Sequence, residues 1–176
     1  MGTKRVGLAR VQKLIENLKR DLDLTGTRLT GQKRLVEALT NTAAVTRTLL
    51  ASESGKLFTV STAATDNDIT LTLPAASTSA GVEYEFAYQA NSDDDADLVI
   101  TTGDNDVDIF GGIITLAANN TVDAFNGVSK ITVDNSVAQS TEGLYFRLLC
   151  DGANWHLSGH IATAVGTVHL VGAAGA

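Results

Sequence analysis

The chain has 176 residues, which suits one domain with an extension rather than two full domains. Hydrophobic residues make up 44% of it but aromatic residues only 5%, so a packed core must rely on Val, Ile, Leu and Ala. Cys150 is the only cysteine, which excludes an intrachain disulfide and a thiolate metal cluster within one chain. Residues 1–10 lack the apolar run of a signal peptide, and no stretch reaches the roughly 18 apolar residues that span a bilayer. These features predict a soluble protein, made in a cytoplasm, that does not enter a membrane.

Charge is divided unequally along the chain. Residues 1–56 carry 11 Lys or Arg and five Asp or Glu, a net charge of +6, whereas residues 57–176 carry two basic and 15 acidic residues, a net charge of −13. Such asymmetry indicates that the two parts face different surroundings. The basic part suits an acidic protein surface or nucleic acid, and the acidic part would repel nucleic acid.

The first predicted element is a helix over residues 4–24. Its apolar residues follow the 3, 4, 3, 4 spacing of a coiled-coil seam: Leu8, Val11, Ile15, Leu18 and Leu22. Basic side chains on its flanks form a predicted docking face: Lys4, Arg5, Arg10, Lys13, Lys19 and Arg20. About three heptads is the lower limit for an isolated coiled coil, so the seam needs the other helices of a trimer or another protein. The alternative is an amphipathic helix packed on its own body.

The next segment, residues 25–51, is predicted to be a connecting arm. Residues 27–31 suit an extended link, and Gln32 to Leu39 suits a short helix with Leu35, Val36 and Leu39 on its apolar face. Thr40 to Leu50 is rich in Thr and Ala and is typical of a linker or an extended arm.

From Ser52 the hydrophobic period changes to two, which predicts strands. Nine candidates follow one another: 56–60, 68–73, 82–88, 97–102, 106–110, 121–125, 130–133, 144–150 and 155–161. Helical patterns between them are absent, which argues against a parallel α/β sheet. The sequence therefore predicts a mainly β fold, an antiparallel β-sandwich or jelly-roll-like body with one wet face per sheet.

The predicted organisation has three parts: residues 1–51 as the N-terminal helix and arm, 52–161 as the β body, and 162–176 as a tail of small residues lying across a neighbouring subunit. The core is expected to hold Leu71, Leu73, Ile100 and Leu148. Four aromatic residues should fill its centre: Tyr84, Phe86, Phe146 and Trp155.

Signals for catalysis are weak. Nucleophile-elbow, phosphate-loop and zinc-protease motifs are absent. His156 and His160 fall on one face of a predicted strand, roughly 13 Å apart, which is too far to share a metal ion. Cys150 ends an apolar strand and suits a buried, inert thiol. We expect no enzyme activity, no catalytic or metal site, no cofactor and no small-molecule substrate.

An acidic run, Asp104, Asp106 and Asp108, has the spacing of calcium-binding carboxylates. Ile109 stands where a calcium loop of the EF-hand type needs glycine, and Thr115 stands where it needs a late glutamate. A turn entering an acidic strand face is favoured, and a calcium site is the alternative. The basic N-terminal stretch lacks interleaved aromatic residues, so nucleic-acid binding is a minor alternative to docking on a protein.

Several segments resemble structural proteins of tailed bacteriophages. Residues 2–18 look like the start of virion proteins from marine phages. The body resembles the β-rich knobs of capsid decoration (cement) proteins and fibre proteins in three motifs: a strand ending in Leu73-Pro74, Gly81 followed by Tyr84 and Phe86, and Asp151-Gly152 followed by Trp155. Together these segments cover most of the chain.

The resemblance implies a non-enzymatic virion protein that binds the outside of a phage head as a homotrimer and stabilises it. Its implied partners are the major capsid protein or another virion protein. A tail, neck or receptor-binding fibre component with a trimeric β knob is the alternative. Short length, the lack of a fibre shaft and the divided charge favour capsid decoration.

Overall fold

The computed structural model describes Gly7 and residues 10–13, 33–62, 66–91, 96–104, 107–116, 121–134, 142–161 and 169–173. It divides into two compact units, residues 1–33 and residues 34–176, and we call the second unit the body. In the first unit, residues 10–13 are helical, and the amides of Arg10 and Val11 donate to the carbonyl of Gly7. Gly7 comes before this helical turn, and the other residues of the predicted 4–24 helix lie outside the described residues, so the rest of the helix stays a prediction.

Strands dominate the body, as the alternating pattern predicts. They are β1 (Val36–Thr40), β2 (Val45–Thr48), β3 (Lys56–Thr62), β4 (Ile69–Thr72), β5 (Glu83–Asn91), β6 (Leu98–Thr101), β7 (Ile109–Thr115), β8 (Thr121–Val128), β9 (Lys130–Asp134), β10 (Tyr145–Cys150), β11 (Trp155–Ile161) and β12 (His169–Ala173). Two short 3-10 turns, Ala51–Glu53 and Ala76–Thr78, precede β3 and β5. The prediction of a mainly β fold is confirmed.

The strands form two sheets. The seven-stranded sheet has the order β1-β3-β5-β10-β11-β7-β8, and the five-stranded sheet has the order β12-β9-β6-β4-β2. Both are mixed, because β1, β3 and β5 run parallel, as do β7 with β11 and β2, β4 and β6. The sheets are therefore mixed rather than wholly antiparallel, since five of the ten strand pairings described are antiparallel. The chain passes from one sheet to the other after β1, β3 and β5, which makes strands of one sheet parallel without any crossover helix.

One hydrophobic core joins the inner faces of the two sheets in a sandwich-like arrangement. The predicted core residues Tyr84, Phe86, Phe146 and Trp155 are all at most 1% exposed. Leu71, Leu73, Ile100 and Leu148 are buried with them, as predicted. The predicted strand phase is thus confirmed on both sheets.

Aromatic rings form a row across three neighbouring strands of the larger sheet. Phe58, Phe86 and Phe146 are in register, with ring centroids 5.4 and 4.8 Å apart. The next position in the row, on β11, is Gly159, where an added Cβ would lie 2.5 Å from the Phe146 Cβ. Glycine at 159 is therefore required by the bulk of its neighbour.

Two strands occur where the sequence predicted an arm. The predicted helix over Gln32 to Leu39 is wrong, because β1 pairs with β3 there and buries Leu39 in the core. Within the predicted 40–50 linker, β2 pairs with β4. Pairing with a neighbouring strand outweighs the weak local preference for helix in both segments.

Two further boundaries differ from the prediction. β7 begins at Ile109 rather than at Asp106 and continues to Thr115. Residues 169–173, in the predicted tail, form β12 and pair with β9 at the edge of the five-stranded sheet. The compact body thus begins at Arg34 rather than Ser52, and it includes part of the segment predicted to lie on a neighbour.

Candidate interaction surfaces

The basic N-terminal segment is described only in part. Val11 of the predicted seam is 42% exposed, and Arg10 and Lys13 of the docking face are exposed beside it. The other predicted positions lie outside the described residues: Leu8, Ile15, Leu18 and Leu22 of the seam, and Lys4, Arg5, Lys19 and Arg20 of the docking face. The coiled coil therefore stays a prediction.

Cations of the body, by contrast, are held by carboxylates. Lys56 Nζ lies 2.7 Å from Glu37 Oε2 and 2.6 Å from Glu53 Oε1, and Arg47 pairs with the same two glutamates. This four-residue cluster joins β1 and β3 of one sheet to β2 of the other. Burial of Glu53 opposes its ionisation, but hydrogen bonds from Lys56, the Leu50 amide and Arg47 lower its pKa to about 2.

The same cluster covers the aromatic core. The Arg47 guanidinium and the Lys56 ammonium lie 5.7 and 5.6 Å from the centroid of the Phe58 ring. Both distances are within the range of a cation–π contact. The cluster is therefore a structural clamp between the two sheets, with its cations committed to internal partners.

The outer face of the seven-stranded sheet carries a second group of paired charges. Arg34 and the Tyr145 hydroxyl both donate to Glu85, which is only 10% exposed in its side chain. The hydrogen bond from Arg34 lowers the pKa of Glu85. On the same strands, Arg147 lies 3.0 Å from Glu83. Four of the five Lys and Arg residues of the body are thus bound to glutamates.

Two histidines project from this outer face. His156 Nε2 lies 2.8 Å from Asp151 Oδ2, and its ring stacks on Phe110. The His160 ring packs against Tyr145 with centroids 5.7 Å apart. Both histidines are exposed on one face of β11, as the sequence predicted, and each has its own partner. The contact of His156 with Asp151 anchors the Asp151-Gly152 turn.

Asp151 shapes that turn directly. Its Oδ1 accepts the amides of Ala153 and Asn154, and Asn154 Oδ1 accepts the amide of Asp108. The hydrogen bond with His156, followed by those from the Asn154 and Ala153 amides, lowers the pKa of Asp151. The Asp151-Gly152 and Trp155 motif is therefore a folding element that ends in the buried Trp155 ring.

Acidic residues line up at one end of the five-stranded sheet. Because Ile69, Leu98 and Val133 are in register, Asp68, Asp97 and Asp134 occupy neighbouring positions at the end where β4 and β6 begin. Asp68 Oδ1 accepts the amide of Asp97. We call this the acidic end.

The remaining residues considered for catalysis or metal binding are Cys150 and the aspartates of the 104–108 run. Cys150 is 1% exposed, its Sγ accepts the amide of Gly152, and burial raises the pKa of its thiol. Asp104 and Asp108 belong to the loop before β7, whereas Asp106 lies outside the described residues. Within the described ranges, no three His, Cys, Asp or Glu side chains are grouped so that they could hold a metal ion. No helix in those ranges is both long and apolar enough to span a bilayer.

Sequence reasoning missed the clamp of Glu37, Arg47, Glu53 and Lys56, since a cluster from three different strands and a turn leaves no local motif. The residues of β1 give no clear alternation either, because Val36 and Ala38 are apolar but exposed, whereas Glu37 shares a face with the buried Leu39. No protein-family model matches this chain, and no curated protein or solved structure matches it significantly.

Proposed function

We propose that the chain is a structural protein of a tailed bacteriophage, a capsid decoration protein that binds the outside of the head as a trimer and stabilises it. In this proposal residues 1–33 attach to the head, and the β body faces outward. The protein has no catalytic role in it. The proposal rests on the sequence resemblance and on one structural observation, the internal pairing of the body's cations.

That observation sharpens the division of charge. Residues 1–33 carry eight basic and three acidic residues, a net charge of +5, and residues 34–176 carry five basic and 17 acidic residues, a net charge of −12. Four of the body's five basic side chains pair with glutamates of the body. They are therefore not available to bind an acidic partner surface. An acidic partner surface would attract the N-terminal segment and repel the body.

Attachment of this kind stabilises a head by mass action. A protein that binds only the assembled lattice lowers the free energy of the assembled state. Three linked N-terminal segments would add the gain of multivalent binding. The apolar stripe predicted in each segment would bury surface on attachment, and the basic flanks would speed association.

The decisive experiment measures occupancy on purified particles that lack the protein. The full chain should bind in many copies over the head, whereas a variant lacking residues 1–24 should stay folded and leave particles bare. Charge reversal at Lys4, Arg5 and Arg10 should weaken binding more at low salt than at high salt, because salt screens the lost attraction. Lys130→Glu, an exposed reversal on the body, is the control and should bind like the unmodified chain.

Full occupancy by the truncated chain would show that the docking surface lies on the body and would overturn this assignment.

Imaging also separates the proposal from its main alternative, a tail, neck or receptor-binding component. That alternative has one observation in its favour: Phe110 and Tyr145 lie partly exposed on the outer sheet face beside exposed histidines, as in surfaces that stack on sugars. A few copies at the tail, instead of many over the head, would support it.

A further inference from the structure

Residues 126 and 127 form the only Asn-Gly pair in the sequence. Both lie in β8, where Val128 pairs with Ile109 and Asn126 pairs with Phe110, so Gly127 is the extra residue of a β-bulge. Asn126 is exposed, and Gly127 has a φ of +81°. The pair therefore combines an accessible side-chain amide with an irregular stretch of backbone.

The fold requires glycine at position 127 for two reasons. Its φ lies in the left-handed region, and an added Cβ would lie 3.1 Å from Asp108 Oδ2. Because glycine has no Cβ, it leaves its own backbone nitrogen accessible to the side chain of the preceding residue. The packing of the bulge thus retains, next to Asn126, the residue that shields this nitrogen least.

The position of the pair in the sheet also favours local motion. In the described part of the chain β8 is the last strand of the seven-stranded sheet, so it is hydrogen-bonded to β7 on one side only. Opening such an edge costs less free energy than unfolding the whole body. The exposed Asn126 side chain can therefore rotate towards the Gly127 nitrogen without leaving a core contact.

The corresponding aspartate pair, Asp151-Gly152, has the opposite setting. Its carboxylate accepts the amides of Ala153 and Asn154. Its glycine amide donates to the buried Cys150 Sγ. Both groups that would have to react with each other in this pair are therefore held by other partners.

We propose that Asn126 is a site of spontaneous deamidation in the folded protein. The Gly127 backbone nitrogen, having lost its proton to hydroxide, attacks Asn126 Cγ. A new C–N bond closes a succinimide ring, and the bond to the side-chain nitrogen breaks and releases ammonia. Water then opens the ring at one of its two carbonyls, which gives aspartate or isoaspartate with a free carboxylate.

The body can carry either product. Aspartate differs from Asn126 only in the exposed side-chain group, and isoaspartate adds one methylene to the backbone of an edge strand that already contains a bulge. The neutral position facing Phe110 then becomes negatively charged. This inference does not depend on the proposed function, because the reaction needs only water and the two residues.

Incubation of the full chain at pH 7 and at pH 8 tests the proposal. The chain should release ammonia and elute progressively later from an anion-exchange column, in proportion to the hydroxide concentration. Peptide mapping should locate both aspartate and isoaspartate at position 126. Asn126→Gln is the matched control and should lose this modification, because its longer side chain would have to close a larger ring. Asp151-Gly152 is the internal control and should stay aspartate.

Urea separates local opening from global unfolding. Concentrations below the unfolding transition should leave the rate unchanged, because local opening exposes little surface. Asn126→Asp, which is one of the two products, should keep the circular dichroism spectrum of the parent.

Three results would overturn the proposal. Asn126 could stay intact in the folded chain while a synthetic peptide of residues 122–130 deamidates under the same conditions, which would show that the sheet protects it. The rate could rise in step with the unfolded fraction in urea, which would place the reaction in the unfolded chain. Loss of the folded spectrum in Asn126→Asp would show that the body cannot carry the product.

Discussion

Single residues in this body are constrained by their cross-strand neighbours. Phe86 has a phenylalanine on each adjacent strand, and Gly159 continues the row because no Cβ fits beside Phe146. Aromatic residues make up only 5% of the chain, and three of their rings are stacked side by side in the core. The loss of one ring therefore leaves a cavity that closes poorly.

Phe86→Ala should lower the free energy of unfolding by about 3–5 kcal/mol. Urea unfolding followed by circular dichroism would measure the change. Val122→Ala, at a position 63% exposed, is the matched control and should shift stability by less than about 0.5 kcal/mol. A nearly neutral Phe86→Ala would contradict the stacked row.

Glu53 should make stability depend on pH below pH 5. Its pKa is about 2 in the folded body, against an ordinary glutamate value of 4.5, so its ionised form stabilises the fold above pH 4.5. That contribution is lost as the pH falls from about 4.5 towards 2. Glu53→Gln should remove about 1–2 kcal/mol of the stability difference between pH 6 and pH 3, allowing for solvent screening.

The measurement is urea unfolding of both proteins at pH 6, 4 and 3. Glu142→Gln, in the exposed turn before β10, controls for the loss of one carboxylate and should keep the pH dependence of the parent. Equal pH dependence in Glu53→Gln and the parent would show that the clamp of Glu37, Arg47, Glu53 and Lys56 does not couple to folding.

At the scale of whole elements, β1 decides where the body begins. Leu39 points into the core at 5% exposure, while Leu35 and Val36 are exposed. A helix over the same residues would place all three on one apolar face. The two structures therefore differ in which side chains contribute to stability. In the observed strand only Leu39 should contribute, whereas in the predicted helix all three would.

Leu39→Ala should reduce stability by about 2–5 kcal/mol, as for other buried leucines. Leu35→Ala and Val36→Ala should change stability by less than about 0.5 kcal/mol. Thermal and urea unfolding of the three variants would check this pattern. Similar losses at all three positions would instead support the helix.

Strands with strict alternation and a turn on each side could be predicted from the sequence alone. β4, with Ile69 and Leu71 buried and Thr70 and Thr72 half-buried, is such a case. β1, β2 and β12 could not, because they are short edge strands that depend on a partner distant in the chain. The parallel pairing also left no local trace, since it follows from the chain changing sheets between β3, β4 and β5.

The candidate surfaces divide in the same way. The charge asymmetry could be predicted from the distribution of charged residues along the chain. The core aromatic residues could be predicted from their positions in the alternating pattern of the strands. The ion pairs of Arg34, Arg47 and Lys56 could not, because they depend on the register of three strands. Those pairs neutralise the basic side chains of Arg34, Arg47 and Lys56 within the body. The basic segment outside the body therefore ends at Lys33, where the first unit ends.

For the whole molecule, charge acts in opposite directions on folding and on attachment. The body has a net charge of −12, and this acidic excess opposes folding by self-repulsion. In the proposed function, attachment through the basic segment would depend on attraction instead. Salt should therefore strengthen one process and weaken the other.

Raising sodium chloride from about 20 to 300 mM should raise the melting temperature of the free protein while it lowers the rate of attachment to particles. A double variant, Asp66→Asn with Glu142→Gln, should start from a higher melting temperature and respond less to salt. Both side chains are exposed, which limits other effects. A melting temperature that falls with salt would show that ion pairs outweigh repulsion in the body.

The pairing of β5 with β10 also sets an order of events during synthesis. Phe86 meets Phe146, a residue made 60 positions later, so at 5–20 residues per second the ribosome needs roughly 3–12 s to supply it. The five-stranded sheet is completed later, because β12 (His169–Ala173), which pairs with β9, is the last strand to be made. Throughout that interval the N-terminal segment has already left the ribosome. In the proposed trimer, nascent chains on one messenger RNA would therefore meet through residues 1–33 before the β body of any of them is complete.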